Sequence, residues 1–204
     1  YYGGTGWGIV ASALLVPWAM TAIGDWPQAW WCLAAVCAFG LVPMWVAAVS
    51  LHAPTAADTA HDPAWVRDQW PVCRASMRWV LWGYGCFGMG YIGYMTFVIA
   101  LLREQGASAA TISWFYAALG LAVVLSARLW ARLLDRYTGG QALAILNALL
   151  AVATVVPAIG APAWALGLSG LLFGAVFLSV VASTTAMVRH NLPVTEWARG
   201  ISAF

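Results

Sequence analysis

Charged residues interrupt this chain at wide intervals, and the stretches between them are almost wholly apolar. Six of these stretches run for 19 to 25 residues without a single Asp, Glu, Lys or Arg. A helix needs about 20 apolar residues to cross a hydrocarbon core of about 30 Å, and such long segments satisfy their backbone groups in lipid as helices. The pattern therefore predicts an all-α, polytopic membrane helical bundle. Its predicted spans are residues 3–23, 29–51, 79–102, 109–127, 142–160 and 163–187, and residues 197–204 begin a seventh helix.

The composition excludes the main alternatives to a membrane protein. Hydrophobic residues make up 63% of the chain and charged residues only 8%, whereas a soluble domain has about 25% charged residues. Such a chain cannot cover a water-facing surface, and disorder requires low hydrophobicity and high charge. The net charge of +2 gives no reason to expect a nucleic-acid partner. The lipid bilayer is the expected partner.

The arginines set the predicted orientation of these spans. Successive loops lie alternately on the two sides of the membrane, and one side then holds eight of the nine basic residues, while the other holds only Arg103. Cytoplasmic loops carry the excess of Lys and Arg, so we place the arginine-rich side in the cytoplasm. Its loops are residues 52–78, 128–141 and 188–199.

One loop is much longer than the others. Residues 52–78 separate the first two spans from the other four, which is typical of a tether between two helical units. The chain opens without Met and closes in an apolar stretch, so we expect it to be part of a longer protein. The spacing of its Cys and His residues predicts no metal site, disulfide framework or cofactor.

Small residues mark two predicted helix-packing sites. Gly4, Gly8 and Ser12 are four residues apart in the first span, and small residues on one helical face let a second helix approach closely. The third span has five glycines within residues 83–93, with Gly88 at their centre. This density indicates close packing, bending or both, since each glycine weakens a helix by about 1 kcal/mol relative to alanine.

Four polar side chains within the predicted spans are candidates for a substrate pathway. Tyr84, Tyr91 and Tyr94 lie in the glycine-rich third span, and hydroxyls at mid-membrane depth on a bendable helix suit a substrate path. Hydrogen bonding between helices is the alternative for these tyrosines. Asn147 lies in the fifth span, where its amide requires either another helix or a water-filled cavity as a partner.

The turn between the fourth and fifth spans is the most specific motif of the chain. It reads ARLLDRYTGG over residues 131–140. Arg132, Asp135 and Arg136 place an acid between two basic residues just before a pair of glycines. This pattern resembles the cytoplasmic loop signature of the major facilitator superfamily.

Further segments extend that resemblance over nearly the whole chain. Residues 2–9 (YGGTGWGI) and 84–92 (YGCFGMGYI) are similar to the bacterial YbfB/YjiJ-type branch of the superfamily. The resemblance implies that the six spans are helices five to ten of twelve and that Trp197 begins the eleventh. Residues 1–51 would then end the N-terminal lobe, 52–78 would form the cytoplasmic inter-lobe linker, and 79–204 would supply most of the C-terminal lobe.

The resemblance also implies a function. It predicts a secondary transporter of a small solute that works by alternating access, coupled to an ion such as the proton, in the bacterial inner membrane. Asp135 would face the positive N-terminal end of the helix starting near Trp197, with Arg199 close by. Arg132, Asp135, Arg136 and Arg199 are therefore the candidates for a cytoplasmic gate. Since no predicted span contains an ionisable Asp, Glu, His, Lys or Arg, we expect the coupling residue in helices outside this chain.

An intramembrane enzyme is the rival interpretation. Residues 167–170 read GLSG, which matches the G-x-S-G motif of rhomboid-type serine proteases with Ser169 as the nucleophile. That chemistry needs an imidazole within the membrane to accept the serine proton. All three histidines (His52, His61 and His190) fall in predicted loops. We therefore predict a transporter rather than an enzyme.

Overall fold

The computed structural model describes residues 3–23, 26–50 and 70–204 as a set of helices. No strand occurs in these ranges, and the prediction of an all-α bundle is confirmed. The helices are α1 (Gly3–Ile23), α2 (Trp26–Ser50), α3 (Trp70–Glu104), α4 (Ala109–Leu129), α5 (Ala131–Arg136), α6 (Gln141–Ala158), α7 (Ala163–Asn191) and α8 (Trp197–Ile201), with a short 3₁₀ turn at Val194–Glu196.

Six of these helices are long and apolar enough to cross a membrane, as the sequence predicts. Local signals explain the turns on the side opposite the arginine-rich loops. Gly106 and Gly160 adopt φ values of 78° and 64°, a left-handed conformation that glycine adopts without strain. Ser108 then caps α4, because its side chain accepts a hydrogen bond from the Thr111 backbone N–H at 3.2 Å.

The largest differences from the prediction are in α3, in the loop after α4 and in α7. Helix α3 begins at Trp70, so residues 70–78 of the predicted linker are helical. At 35 residues α3 is about 52 Å long and extends past the hydrocarbon core. The loop after α4 contains the short helix α5, and α7 continues to Asn191. Polar residues are compatible with a helix outside the bilayer, so apolar length predicts the span but not the end of the helix. The rest of the predicted linker, residues 51–69, lies outside the described residues.

The helices pack in an order that differs from the order of the chain. Helix α2 packs on α1, α1 on α4, α4 on α7, α7 on α6, and α6 on α3. In the apolar segment of α7 half of the residues are buried, whereas in the apolar segment of α2 only 6% are buried. Helix α7 is therefore the central element, and α1 is the helix that joins the first two spans to the rest.

Helices α1 and α4 approach each other until their backbones touch. A Cβ added at Gly6 would lie 2.7 Å from the backbone nitrogen of Val124 and 2.8 Å from the carbonyl oxygen of Gly120. A Cβ added at Gly120 would lie 2.9 Å from the backbone nitrogen of Val10. Each glycine therefore fits only because it lacks a side chain.

This contact does not involve the predicted packing positions, whose role stays a prediction. A Cβ at Gly4, Gly8 or Gly88 would meet nothing within 4 Å, and the Ser12 hydroxyl donates to the Ile9 carbonyl of its own helix at 3.0 Å. Two residues correspond to about 200° around a helix, so Gly6 lies almost opposite the predicted face. The spacing of small residues identified a helix suited to close packing, but not the face on which α4 packs.

Candidate substrate pathway and cytoplasmic loop

A series of stacked aromatic rings fills the space between α3 and α7. Successive ring centroids are 4.0 to 5.9 Å apart, with interplanar angles of 12° to 27°. Four of the five pairs fall within the preferred separation of about 4.5–7 Å, and such pairs contribute about 0.5–1.5 kcal/mol each beyond their buried area. We call these six rings the ring series; in order of contact they are Tyr84, Phe87, Tyr91, Phe177, Phe173 and Tyr94.

The sequence places the rings on matching faces. The α3 members follow each other at intervals of three or four residues, and Phe173 and Phe177 are four apart on α7. Such intervals bring side chains to one face of a helix. Tyr84, Tyr91 and Tyr94, which we predicted to line a pathway, are thus brought together in one structure.

Tyr94 also belongs to a chain of hydrogen bonds that joins three helices. The Ser169 hydroxyl of α7 donates to the Ala153 carbonyl of α6 at 2.8 Å, and its oxygen lies 2.8 Å from the Tyr94 hydroxyl of α3. A serine hydroxyl has one hydrogen to donate, so Tyr94 is the donor to Ser169. Both side chains are buried, and each of the two hydroxyl groups donates its hydrogen to an acceptor.

The same geometry gives no support to the protease interpretation. The hydrogen of Ser169 is already donated to a backbone carbonyl, and its other partner is a tyrosine hydroxyl. His190, at the end of α7, is the one imidazole within the described residues, and its ring nitrogen lies 3.3 Å from the Leu134 carbonyl of α5. His52 and His61 lie outside the residues that the structure describes.

Asn147 lies apart from the ring series. Its amide donates to the Gly83 carbonyl of α3 at 3.3 Å, and it borders a cavity of about 250 Å³ between α3 and α6. Phe87 is the ring that borders both this cavity and the series. The structure thus supplies the second helix that an amide in a membrane span requires.

The loop that carries the predicted gate residues is attached to α7. The Trp130 indole N–H donates to the Ala175 carbonyl at 2.7 Å, and the Asn191 amide donates to the Thr138 carbonyl at 2.6 Å. Trp130 lies at the start of the loop and Thr138 near its end, and the partner of each lies on α7, so the two bonds hold both ends of the loop against α7. Three predicted gate residues are exposed on this loop: Arg132, Asp135 and Arg136.

A buried carboxylate that the sequence did not single out lies beside the fourth gate residue. Glu196 has 0% exposure, and its Oε2 lies 4.0 Å from the Arg199 guanidinium. The predicted neighbour of Arg199 was Asp135, whose loop instead has its hydrogen bonds to α7. The i, i+3 spacing of Glu196 and Arg199 was a signal for this pair, but the sequence analysis placed Arg199 beside Asp135 and did not consider Glu196.

Aromatic contacts hold the segment around Glu196 in place. The Trp197 indole N–H donates to the Leu192 carbonyl at 2.9 Å, and the Arg189 guanidinium lies 4.8 Å from the centre of the Trp197 ring, within cation–π range. A Cβ added at Gly200 would lie 2.5 Å from a Leu192 methyl. The start of α8 is therefore packed tightly onto the end of α7.

Comparison with known proteins identifies one family. The family model described as "Uncharacterised MFS-type transporter YbfB" matches residues 1–203. Comparison with curated proteins and with solved structures gives no significant match. The family match covers both the ring series and the α1–α4 contact.

Proposed function

Because this chain belongs to the major facilitator superfamily, in the family described as YbfB-type transporters, we propose that it moves a small solute by alternating access. Family membership and six membrane-capable helices make it a multi-pass membrane transporter. The mechanism, the coupling and the class of solute are the proposal.

The backbone contact between α1 and α4 is the observation that carries alternating access. Helix α1 lies in the unit of residues 1–51, and α4 lies in the unit of residues 79–204. At Gly6 and Gly120 these helices approach each other through backbone atoms, with a methyl group of Val124 and one of Val10 beside the two glycines. A contact of this kind lets two units tilt against each other while they remain together, as alternating access requires.

The ring series supports an uncharged or amphipathic solute. It lies between α3 and α7 at the depth of the predicted spans, where the sequence places no ionisable Asp, Glu, His, Lys or Arg. Tyr91 stacks on Phe87 and Phe177 at centroid distances of 5.5 and 5.9 Å. We propose that the solute contacts these rings, Tyr84 among them, and that Tyr91 offers it a hydroxyl group.

We further propose that transport is coupled to an ion, with the proton as the first choice, and that the protein lies in a bacterial inner membrane. Support for coupling is membership of the family. Support for the orientation is the concentration of arginines in the loops at 52–78, 128–141 and 188–199. These loops would face the cytoplasm.

Uptake into proteoliposomes tests this function. We expect a panel of labelled, uncharged aromatic solutes to include at least one that accumulates above the protein-free level under an imposed proton gradient. Tyr91→Leu should lower the rate of uptake of that solute about tenfold, which corresponds to a rise of about 1.4 kcal/mol in the activation free energy of transport. Trp114→Leu is the matched control, because Trp114 is 69% exposed on the outside of α4. An equal loss in the two variants, or no uptake of any solute, would count against the proposal.

We propose that Asp135 acts in a cytoplasmic gate, in which its carboxylate faces the start of α8 when that side is closed. Asp135→Asn removes the charge and keeps the size, so it should shift the balance toward the cytoplasm-open state and change the transport rate. Asp135→Glu keeps the charge and should stay close to the unmodified protein. Unchanged rate and unchanged conformational balance in Asp135→Asn would refute this role.

A further inference from the structure

A second, larger cavity lies between α3 and α6. It has a volume of about 410 Å³ and shares Thr154 with the 250 Å³ cavity beside Asn147. Gly93 of α3 borders it, and a Cβ added at Gly93 would meet nothing within 4 Å. The missing side chain of this glycine therefore leaves part of the space open. Its volume falls within the range of about 300–1,000 Å³ for ligand sites.

The cavity follows α3 from Gly93 to Glu104. Eleven residues correspond to about 16 Å along a helix, which is close to half of a hydrocarbon core of about 30 Å. The cavity thus spans about one leaflet. It ends at the side opposite the arginine-rich loops, where Glu104, an exposed residue, lies at its border.

The two hydroxyl groups along the cavity are already hydrogen-bonded within the protein. Tyr94 donates its hydroxyl hydrogen to Ser169, and the Thr154 hydroxyl donates to the Ala151 carbonyl at 3.0 Å. The remaining wall consists largely of hydrocarbon, with Phe97 and Leu101 among its members. A solute that needs hydrogen bonds along its length would find few partners here, whereas a hydrocarbon chain needs none.

We propose that this cavity holds the acyl chain of a membrane lipid whose headgroup is zwitterionic and carries a primary amine. The chain would lie along α3 beside Gly93, and the ammonium group would meet the Glu104 carboxylate at the membrane surface. The exposed Arg103, the residue before Glu104, is available to the lipid phosphate. An anionic lipid without an amine has no positive group to pair with the Glu104 carboxylate, so that carboxylate would not favour its binding. The headgroup class therefore follows from charge complementarity at the end of the cavity.

Native mass spectrometry of the purified, delipidated protein tests the proposal. The probes are phosphatidylethanolamine and phosphatidylglycerol with identical acyl chains, offered in equal amounts. We expect bound phosphatidylethanolamine to exceed phosphatidylglycerol about fivefold or more, which is about 1 kcal/mol of preference. Glu104→Gln should bring that ratio close to one. Equal binding of the two lipids to the unmodified protein would overturn the proposal, as would a preference that Glu104→Gln leaves intact.

Filling the cavity is the second arm of the test. Gly93→Leu should lower phosphatidylethanolamine binding about tenfold, whereas Gly85→Leu should not. Gly85 is on the same helix, also has nothing within 4 Å of an added Cβ, and borders neither cavity between α3 and α6. Equal binding in the two variants would contradict the assigned location.

A crosslinking measurement on the unmodified protein keeps the location testable even where Gly93→Leu does not fold. Phosphatidylethanolamine with a photoreactive group on its acyl chain should label peptides that contain residues 93–104 and 154–158. Labelling confined to other helices would overturn the proposal.

Discussion

The contact between α1 and α4 predicts that alanine is unfavourable at Gly6 but tolerated at Gly8, two residues away. In Gly6→Ala the new Cβ would lie 2.7 Å from the Val124 nitrogen and 2.8 Å from the Gly120 oxygen. Both are backbone atoms and cannot rotate away, so the helices must separate by about 0.7 Å to restore an ordinary contact of 3.4 Å. Forcing a methyl group into such a contact costs about 1–3 kcal/mol.

Gly8→Ala is the matched control for this clash. It makes the same chemical change two residues away on the same helix, where an added Cβ meets nothing within 4 Å. Both variants gain the same helix propensity of about 1 kcal/mol, so the difference between them isolates the clash. We therefore expect Gly6→Ala to be less stable than Gly8→Ala by about 1–3 kcal/mol.

Thermal unfolding in detergent and uptake into proteoliposomes together measure this difference. Gly6→Ala should unfold at a lower temperature than Gly8→Ala and transport more slowly, because the two units no longer meet closely. Equal stability and equal uptake would refute the assignment of the contact to Gly6. Greater damage from Gly8→Ala would instead place the contact on the face of Gly4 and Gly8.

The hydrogen bonds of the bundle give three further predictions. Ser169→Ala leaves the buried Tyr94 hydroxyl without its acceptor and should destabilise the protein by about 1–3 kcal/mol, measured by thermal unfolding. Tyr94→Phe leaves the Ser169 bond to Ala153 intact and should lower stability less. A larger loss of stability in Tyr94→Phe than in Ser169→Ala would contradict Tyr94 as the donor. Asn147→Leu removes the amide bond to α3 and should lower stability by about 0.6–2 kcal/mol; unchanged thermal unfolding would refute a role for that bond. Trp130→Phe removes the bond to Ala175 and should speed proteolysis of the loop, whereas an unchanged cleavage rate would show that this bond does not hold it.

Sequence reasoning predicted the spans because one large free-energy cost decides them, the cost of placing a charged side chain in the hydrocarbon core. Exclusion of charge from some 20 residues identifies a crossing segment, and the predicted bounds of α1 match the structure. The end of α7 at Asn191 and the separate helix α5 were missed. Outside the hydrocarbon core the cost of a polar side chain no longer distinguishes a helix from a loop.

The contacts within the candidate site were less accessible to sequence reasoning. Tyr94 and Ser169 were each named, but they are 75 residues apart, and nothing in the local pattern pairs them. Membrane helices are apolar on all sides, so hydrophobic periodicity does not reveal which face packs. Gly6 therefore could not be distinguished from Gly4 or Gly8 by spacing alone.

The burial of Glu196 was missed for a related reason. A Glu between two predicted spans is usually solvated. The i, i+3 spacing indicates the pair with Arg199, but the burial of Glu196 depends on the packing of α8 onto the end of α7, which the sequence does not show. The gate residues were accordingly assigned by resemblance, and the contact of Asp135 with α8 stays a prediction.

Access to the ring series from the two sides of the membrane tests the central claim most directly. The four native cysteines are replaced by alanine, and a single cysteine is introduced at Tyr91. A membrane-impermeant maleimide is then applied to vesicles of each orientation. Alternating access predicts that the cysteine reacts from both sides, while a control cysteine at Asp135 reacts from the cytoplasmic side alone. Reaction of the cysteine at position 91 from only one side, or from neither, would contradict the account.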